Sequence, residues 1–129
     1  MSRFKNWQTP KFDGKGMTKW NWMCQYDENL ELGENCDVGA FTYINAKHGV
    51  VIEEEVQIGS HCAIYSDNTI DGTSGKVVIK KGAKIGSHTV ILPGVTVGEK
   101  AVVGAKSLVK KDVPAGAVMA GVTAKPLKS

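Results

Sequence analysis

The chain has little that could brace it covalently. Its 129 residues include three cysteines, Cys24, Cys36 and Cys62, an odd number with no C-x-x-C spacing. That argues against a disulfide framework or a zinc ribbon and leaves reduced thiols in the cytoplasm as the expectation. No apolar stretch approaches the length of a membrane span. The N-terminus lacks the apolar run of a secretory signal. Aromatic residues make up 7% of the chain, and residues 76–129 contain no Trp, Tyr or Phe. With no ring to stack on bases and no recognition-helix pattern there, nucleic acid is not an expected partner. Disorder is also excluded, because 42% of residues are hydrophobic and 22% charged. That balance suits one soluble domain.

Charge is present but unevenly placed. Residues 1–75 carry six basic and eleven acidic side chains, whereas residues 76–129 carry ten lysines against Glu99 and Asp112. A lysine excess of this kind fits a solvated surface or a site for an anionic partner such as a nucleotide-like cofactor.

The strongest signal is an internal repeat. A bulky aliphatic residue recurs in steps of six at Leu32, Val38 and Ile44, then Ile52, Ile58, Ile64 and Ile70, then Ile79, Ile85, Ile91, Val97, Val103 and Val109. Two residues earlier lies a mostly small or apolar series from Leu30 through Cys36 and Thr42 to Ser107. Glycine follows the aliphatic at Gly33, Gly39, Gly59, Gly86, Gly98 and Gly104. Residues two apart share one side of a strand, so both series face inward. The glycine then lets the chain turn a corner. Six residues make one short strand and one corner, and three sides close a triangular coil. Helical periodicity cannot generate this pattern. The expected fold is therefore all-β, a parallel β-helix of about four coils. Residues 29–113 form the helix, 1–28 an N-terminal cap or subunit contact, and 114–129 a C-terminal capping tail. Two interruptions stand out: two extra residues between Ile44 and Ile52, and three between Ile70 and Ile79. Loops that break a solenoid collect on its working surface.

In this register Gly49, Asp67, His88 and Lys106 fall on one corner. Asp67 and His88 are then expected about one coil apart, roughly 5 Å. An Asp orienting a His is what a general base requires, so His88 with Asp67 is the leading catalytic pair. His61 falls on a different corner and is expected to reach such a site from a neighbouring subunit. His48 sits in the first inserted loop.

The stretch IGSHTVILPGVTVGEKAVVGAKSLVKKDVPAGAVMAGVTAK (residues 85–125) resembles the C-terminal block of hexapeptide-repeat acyltransferases, and most closely the acetyltransferases that modify sugars of surface polysaccharides. The resemblance implies a left-handed coil, a homotrimer, acetyl-CoA as co-substrate and no metal. It also implies a sugar acceptor bound near Asn45 and His48. By the same resemblance the Ser87 amide lies near the thioester, Gly104 and the Ala105 amide along the pantetheine arm, and Lys110 and Lys111 near the CoA phosphates. The chain departs from the family in three places. Asn68-Thr69 stands where those enzymes carry a loop histidine. Lys84 replaces a tryptophan, and Gly121-Val122-Thr123-Ala124 replaces G-x-P-A. Two other readings share the architecture. One is a γ-class carbonic anhydrase, which needs three histidines on a metal; here His48, His61 and His88 have no near pair in sequence. The other is a β-helix that binds or assembles without catalysis.

Overall fold

A computed structural model describes residues 4–127. The repeat winds into a left-handed parallel β-helix with three flat faces. The first face stacks Met23–Gln25, Tyr43–Asn45, Ala63–Tyr65, Val90–Ile91 and Leu108–Val109. The second stacks Leu30–Leu32, Val50–Ile52, Val77–Ile79 and Thr96–Val97. The third stacks Asp37–Val38, Gln57–Ile58, Lys84–Ile85, Val102–Val103 and Val118–Ala120. Lys125–Pro126 then turns back antiparallel along Val118–Ala120. The prism has about five turns rather than four. The extra rungs come from Met23–Gln25, inside the expected N-terminal cap, and from Val118–Ala120, inside the expected tail.

The aliphatic series forms inward ladders. Cys24, Ile44, Ile64, Ile91 and Val109 stack in register under the first face, and Ile52, Ile79 and Val97 under the second. All are essentially without solvent contact. Outside the hairpin, the polar members of the second series are also buried, and each has a partner. Thr42 Oγ1 donates to the Gly59 carbonyl at 2.9 Å, Thr89 Oγ1 to Gly104 at 3.2 Å, and the Cys62 thiol to Gly86 at 3.2 Å. Small hydroxyls and thiols thus satisfy the corner carbonyls of the next coil, which would otherwise be costly to bury.

Glycine is needed at the corners for a close approach. A Cβ on Gly59 would lie 2.6 Å from the Ser87 nitrogen, and one on Gly86 would lie 2.5 Å from the Ala105 nitrogen. The left-handed turn falls elsewhere, three residues before most of the aliphatics. Asn35, Phe41, Glu55, His61, His88, Lys100 and Lys106 all take φ near +60° there. These corners therefore each hold one side chain in a fixed outward direction, whereas Gly49, Gly82 and Gly94 take the same position without one.

One rung departs from the expected register. Ile70 is 93% exposed and belongs to no ladder. Ile64 passes directly to Ile79 in the stacking order, so the second insertion is nine residues beyond one repeat, not three. The extra residues form a small hairpin in which Asp67–Asn68 pairs antiparallel with Thr73–Ser74. Its tip is closed locally, because Asp71 Oδ1 accepts from the Thr73 amide at 3.0 Å and hydroxyl at 2.7 Å. Gly72 takes φ +73° beside it. These contacts outcompete the six-step pattern, and Ile70 matched that pattern by coincidence of spacing.

Candidate active site

The shifted register redistributes the candidate residues over two corners. Between the third and first faces, the outward column runs Phe41, His61, His88 and Lys106. The His61 and His88 rings are stacked, with centroids 4.7 Å apart and planes 3° from parallel. Phe41 lies 5.1 Å from His61 on the other side. The order of this column is held by corner hydrogen bonds, His61 N–H to the Ala40 carbonyl at 3.0 Å and His88 N–H to Ser60 at 3.0 Å. His61 therefore shares the corner of His88 within one chain, contrary to the expected separation.

Asp67 is not on this corner. It opens the hairpin between the first and second faces, and its Oδ1 lies 3.4 Å from His48 Nε2. The carboxylate is mostly buried and the imidazole partly exposed, at 17% and 41% of their side-chain areas. The expected Asp67–His88 pair is thus replaced by Asp67–His48. The reason is the hairpin: with Ile70 outside the ladders, Asp67 moves one corner along the prism.

The His48 backbone is pinned by its neighbours. Its N–H donates to the buried Ser66 Oγ at 2.9 Å, and Ser66 N–H donates to the Asn45 carbonyl at 2.9 Å. Asn45 Oδ1 accepts from the Lys47 N–H at 3.1 Å, and its Nδ2 lies 3.3 Å from the Tyr43 hydroxyl. Asn45 and His48, the expected acceptor-side residues, therefore lie together. Burial raises the Tyr43 phenol above its ordinary pKa, so Tyr43 stays a hydroxyl at neutral pH. An open hollow of about 470 Å³ lies beside His48 and Gly49, edged by Glu28, Glu31, Lys47 and Lys76.

The expected cofactor residues also divide. Ser87, Gly104 and Ala105 lie on the histidine-stack corner. The Ser87 and Ala105 N–H groups donate no hydrogen bond among the described residues. Lys110 and Lys111 lie one corner further on, with the hairpin. Lys110 helps hold the Asp71 carboxylate below its usual range, after the larger effects of the Thr73 hydroxyl and amide. Sequence reasoning missed the His48–Asp67 contact. The one available signal was that both residues flank insertions at the same corner of successive coils. Among the described residues no three His, Cys, Asp or Glu side chains converge as a metal site.

The six-residue ladder and its three-sided coil define a hexapeptide-repeat β-helix protein. Residues 76–111 match the family described as bacterial transferase hexapeptide (six repeats). Within that class the similarity is to acetyltransferases. Galactoside O-acetyltransferase of Escherichia coli (strain K12) is 33% identical over 114 residues, covering 77% of this chain and 56% of that protein. Putative acetyltransferase YvoF of Bacillus subtilis (strain 168) is 39% identical over 109 residues, covering 78% and 61%. Among solved structures, the hexapeptide-repeat acetyltransferase VCA0836 of Vibrio cholerae, complexed with acetyl coenzyme A, superposes with a TM-score of 0.78. It is 26% identical, over 84% of this chain and 64% of that one. The chain thus spans about three-fifths of the length of these two relatives.

Proposed function

We propose that this chain is an acyl-CoA-dependent acyltransferase, with acetyl-CoA as donor and a hydroxyl or amine of a sugar as acceptor. The observation that carries the reading is the His48–Asp67 pair. It is an imidazole held by a mostly buried carboxylate, beside an open hollow, on the corner where the repeat is twice interrupted. Asp67 Oδ1 lies 3.4 Å from His48 Nε2, and in this reading the carboxylate favours the tautomer with its proton on Nε2, which leaves Nδ1 to take a proton. His48 removes the acceptor proton as the acceptor atom bonds to the thioester carbonyl carbon. The C–S bond then breaks, and the proton passes to the departing thiolate. A free corner N–H, that of Ser87, suits the oxyanion of this step. Ala105, Gly104 and the lysines would hold the donor, and Asn45 the acceptor. His61 and His88 form a planar wall beside Ser87.

These parts lie on two corners of one prism, separated by the width of the first face. None of that face's outward side chains carries a charge; Met23, Tyr43, Ala63, Val90 and Leu108 are all half-buried. Packing three such faces about a threefold axis sets the Ser87 corner of one copy against the His48 corner of the next. The homotrimer then completes each site from two copies. The same packing brings Lys110 and Lys111 to the donor groove. The galactoside O-acetyltransferase relative supports a sugar acceptor, and a role in surface polysaccharide synthesis belongs to the same proposal. Three free buried thiols fit a reducing cytoplasm.

Thiol release from acetyl-CoA, measured over a panel of galactosides, amino sugars and sugar nucleotides, tests the proposal. Turnover with at least one acceptor is expected, and His48→Gln should lower kcat about 10²- to 10⁴-fold. Calorimetry that detects no CoA binding up to millimolar concentration would overturn it.

A further inference from the structure

The aromatic residues that the coil does not use gather at its N-terminal end. There they enclose a cavity of about 340 Å³, within the usual size of small-molecule sites. Trp7, Trp20 and Trp22 line it, together with Asn6, Gln8 and Lys19. Each ring is held differently. Trp22 is buried and meets Phe12 edge-on, with centroids 5.4 Å apart. Trp7 is fixed by its indole N–H, which donates to the Cys36 carbonyl at 2.8 Å. Trp20 remains 40% exposed. Its ring carries Lys19 Nζ at 4.7 Å from the centroid, and that ammonium also donates to Gln8 Oε1 at 2.8 Å. A second hollow, lined by Thr9 and Lys11, shares Gln8, Lys19 and Trp20 with the first.

The charge here differs from that of the next part of the chain. Residues 4–19 carry Lys5, Lys11, Lys15 and Lys19 against Asp13, whereas residues 20–75 carry Lys47 against ten acidic side chains. Fixed aromatic plates offer a flat face to the C–H surface of a pyranose ring. Planar amides suit adjacent hydroxyls, being donor and acceptor at once. A lysine beside the plate suits a carboxylate on the ring. From these features we infer that the N-terminal cavity is a saccharide-binding site for an anionic sugar unit, separate from the His48 and Ser87 corners. One sugar ring is expected to lie against Trp20, with its acid group at Lys19. The site serves to hold a glycan, and this reading does not depend on acyl transfer.

Tryptophan fluorescence of the full chain tests it, by titration with trigalacturonate, with the matching neutral galactotriose and with uridine diphosphate. Saturable quenching by trigalacturonate is expected, several-fold tighter than by the neutral trisaccharide. Trp20→Ala should weaken it at least tenfold, and Lys19→Gln should erase the preference for the charged sugar. Neither change should alter the melting temperature. The inference is overturned if neither saccharide gives a saturable change, if Trp20→Ala binds as well as the parent, or if uridine diphosphate binds in preference to both. The His48 site would be untouched by any of these results, since thiol release is read separately.

Discussion

The corner positions set the terms at the scale of single residues. Lys100 sits at φ +59°, a conformation that costs an L-residue roughly 1–2 kcal/mol and glycine little. Lys100→Gly is therefore expected to raise stability by about 1 kcal/mol in urea unfolding, despite removing a side chain. Gly86→Ala should do the reverse, because its Cβ would strike the Ala105 nitrogen. The inward cysteines give a second test. Burial pushes the Cys24 thiol up to about 12, with Asp27 and Glu28 adding to the effect, and burial raises Cys36 and Cys62 as well. A thiol whose pKa is higher folded than unfolded contributes stability below its unfolded value, and that contribution is lost as pH rises through the folded value. Stability should thus be insensitive to these groups at neutral pH and fall between about pH 9 and 12. A thiol reagent at pH 8 should find three slow cysteines in the native chain and three fast ones in denaturant.

Elements are where sequence reading and structure part company. The ladders were legible because a bulky aliphatic at every sixth position has one consistent use, and twelve of the thirteen positions fall in them or at their rim. The hairpin was not legible. Its Ile70 keeps the spacing, while the features that exclude it from the core are local: an Asp–Thr turn and a glycine at positive φ. That one rung misplaced Asp67 and hid the stacking of His61 on His88. The consequence is measurable. Ile70→Ser should leave the melting temperature unchanged, since the side chain is exposed, whereas Ile64→Ala should cost about 2–5 kcal/mol. Under the proposed chemistry, Asp67→Asn should lower kcat far more than it raises KM, and His88→Ala should fall short of the His48→Gln loss.

For the whole molecule, the proposed trimer predicts behaviour that no single prism could show. Leu108→Asp places a charge on the uncharged first face. It is expected to yield folded monomers by sedimentation and to abolish turnover. Mixing His48→Gln subunits with subunits altered at the Ser87 corner should restore activity, because some boundaries would then join two intact halves. Activity that persists in the Leu108→Asp monomer would remove the shared-site geometry.

The reversed strand at Lys125–Pro126 governs how the prism stops. Parallel rungs present the same open edge at every level, so nothing in the repeat itself limits its growth by end-to-end addition. Lys125–Pro126 occupies the last edge of the third face in the opposite direction and brings in a proline, which has no N–H to offer the next strand. Leu127 N–H completes the closure by donating to the Val118 carbonyl at 2.9 Å. The segment is therefore expected to act as a polymerisation stop. Chains ended after Ala120 should retain the coil yet join into filaments, visible as light scattering that grows with protein concentration.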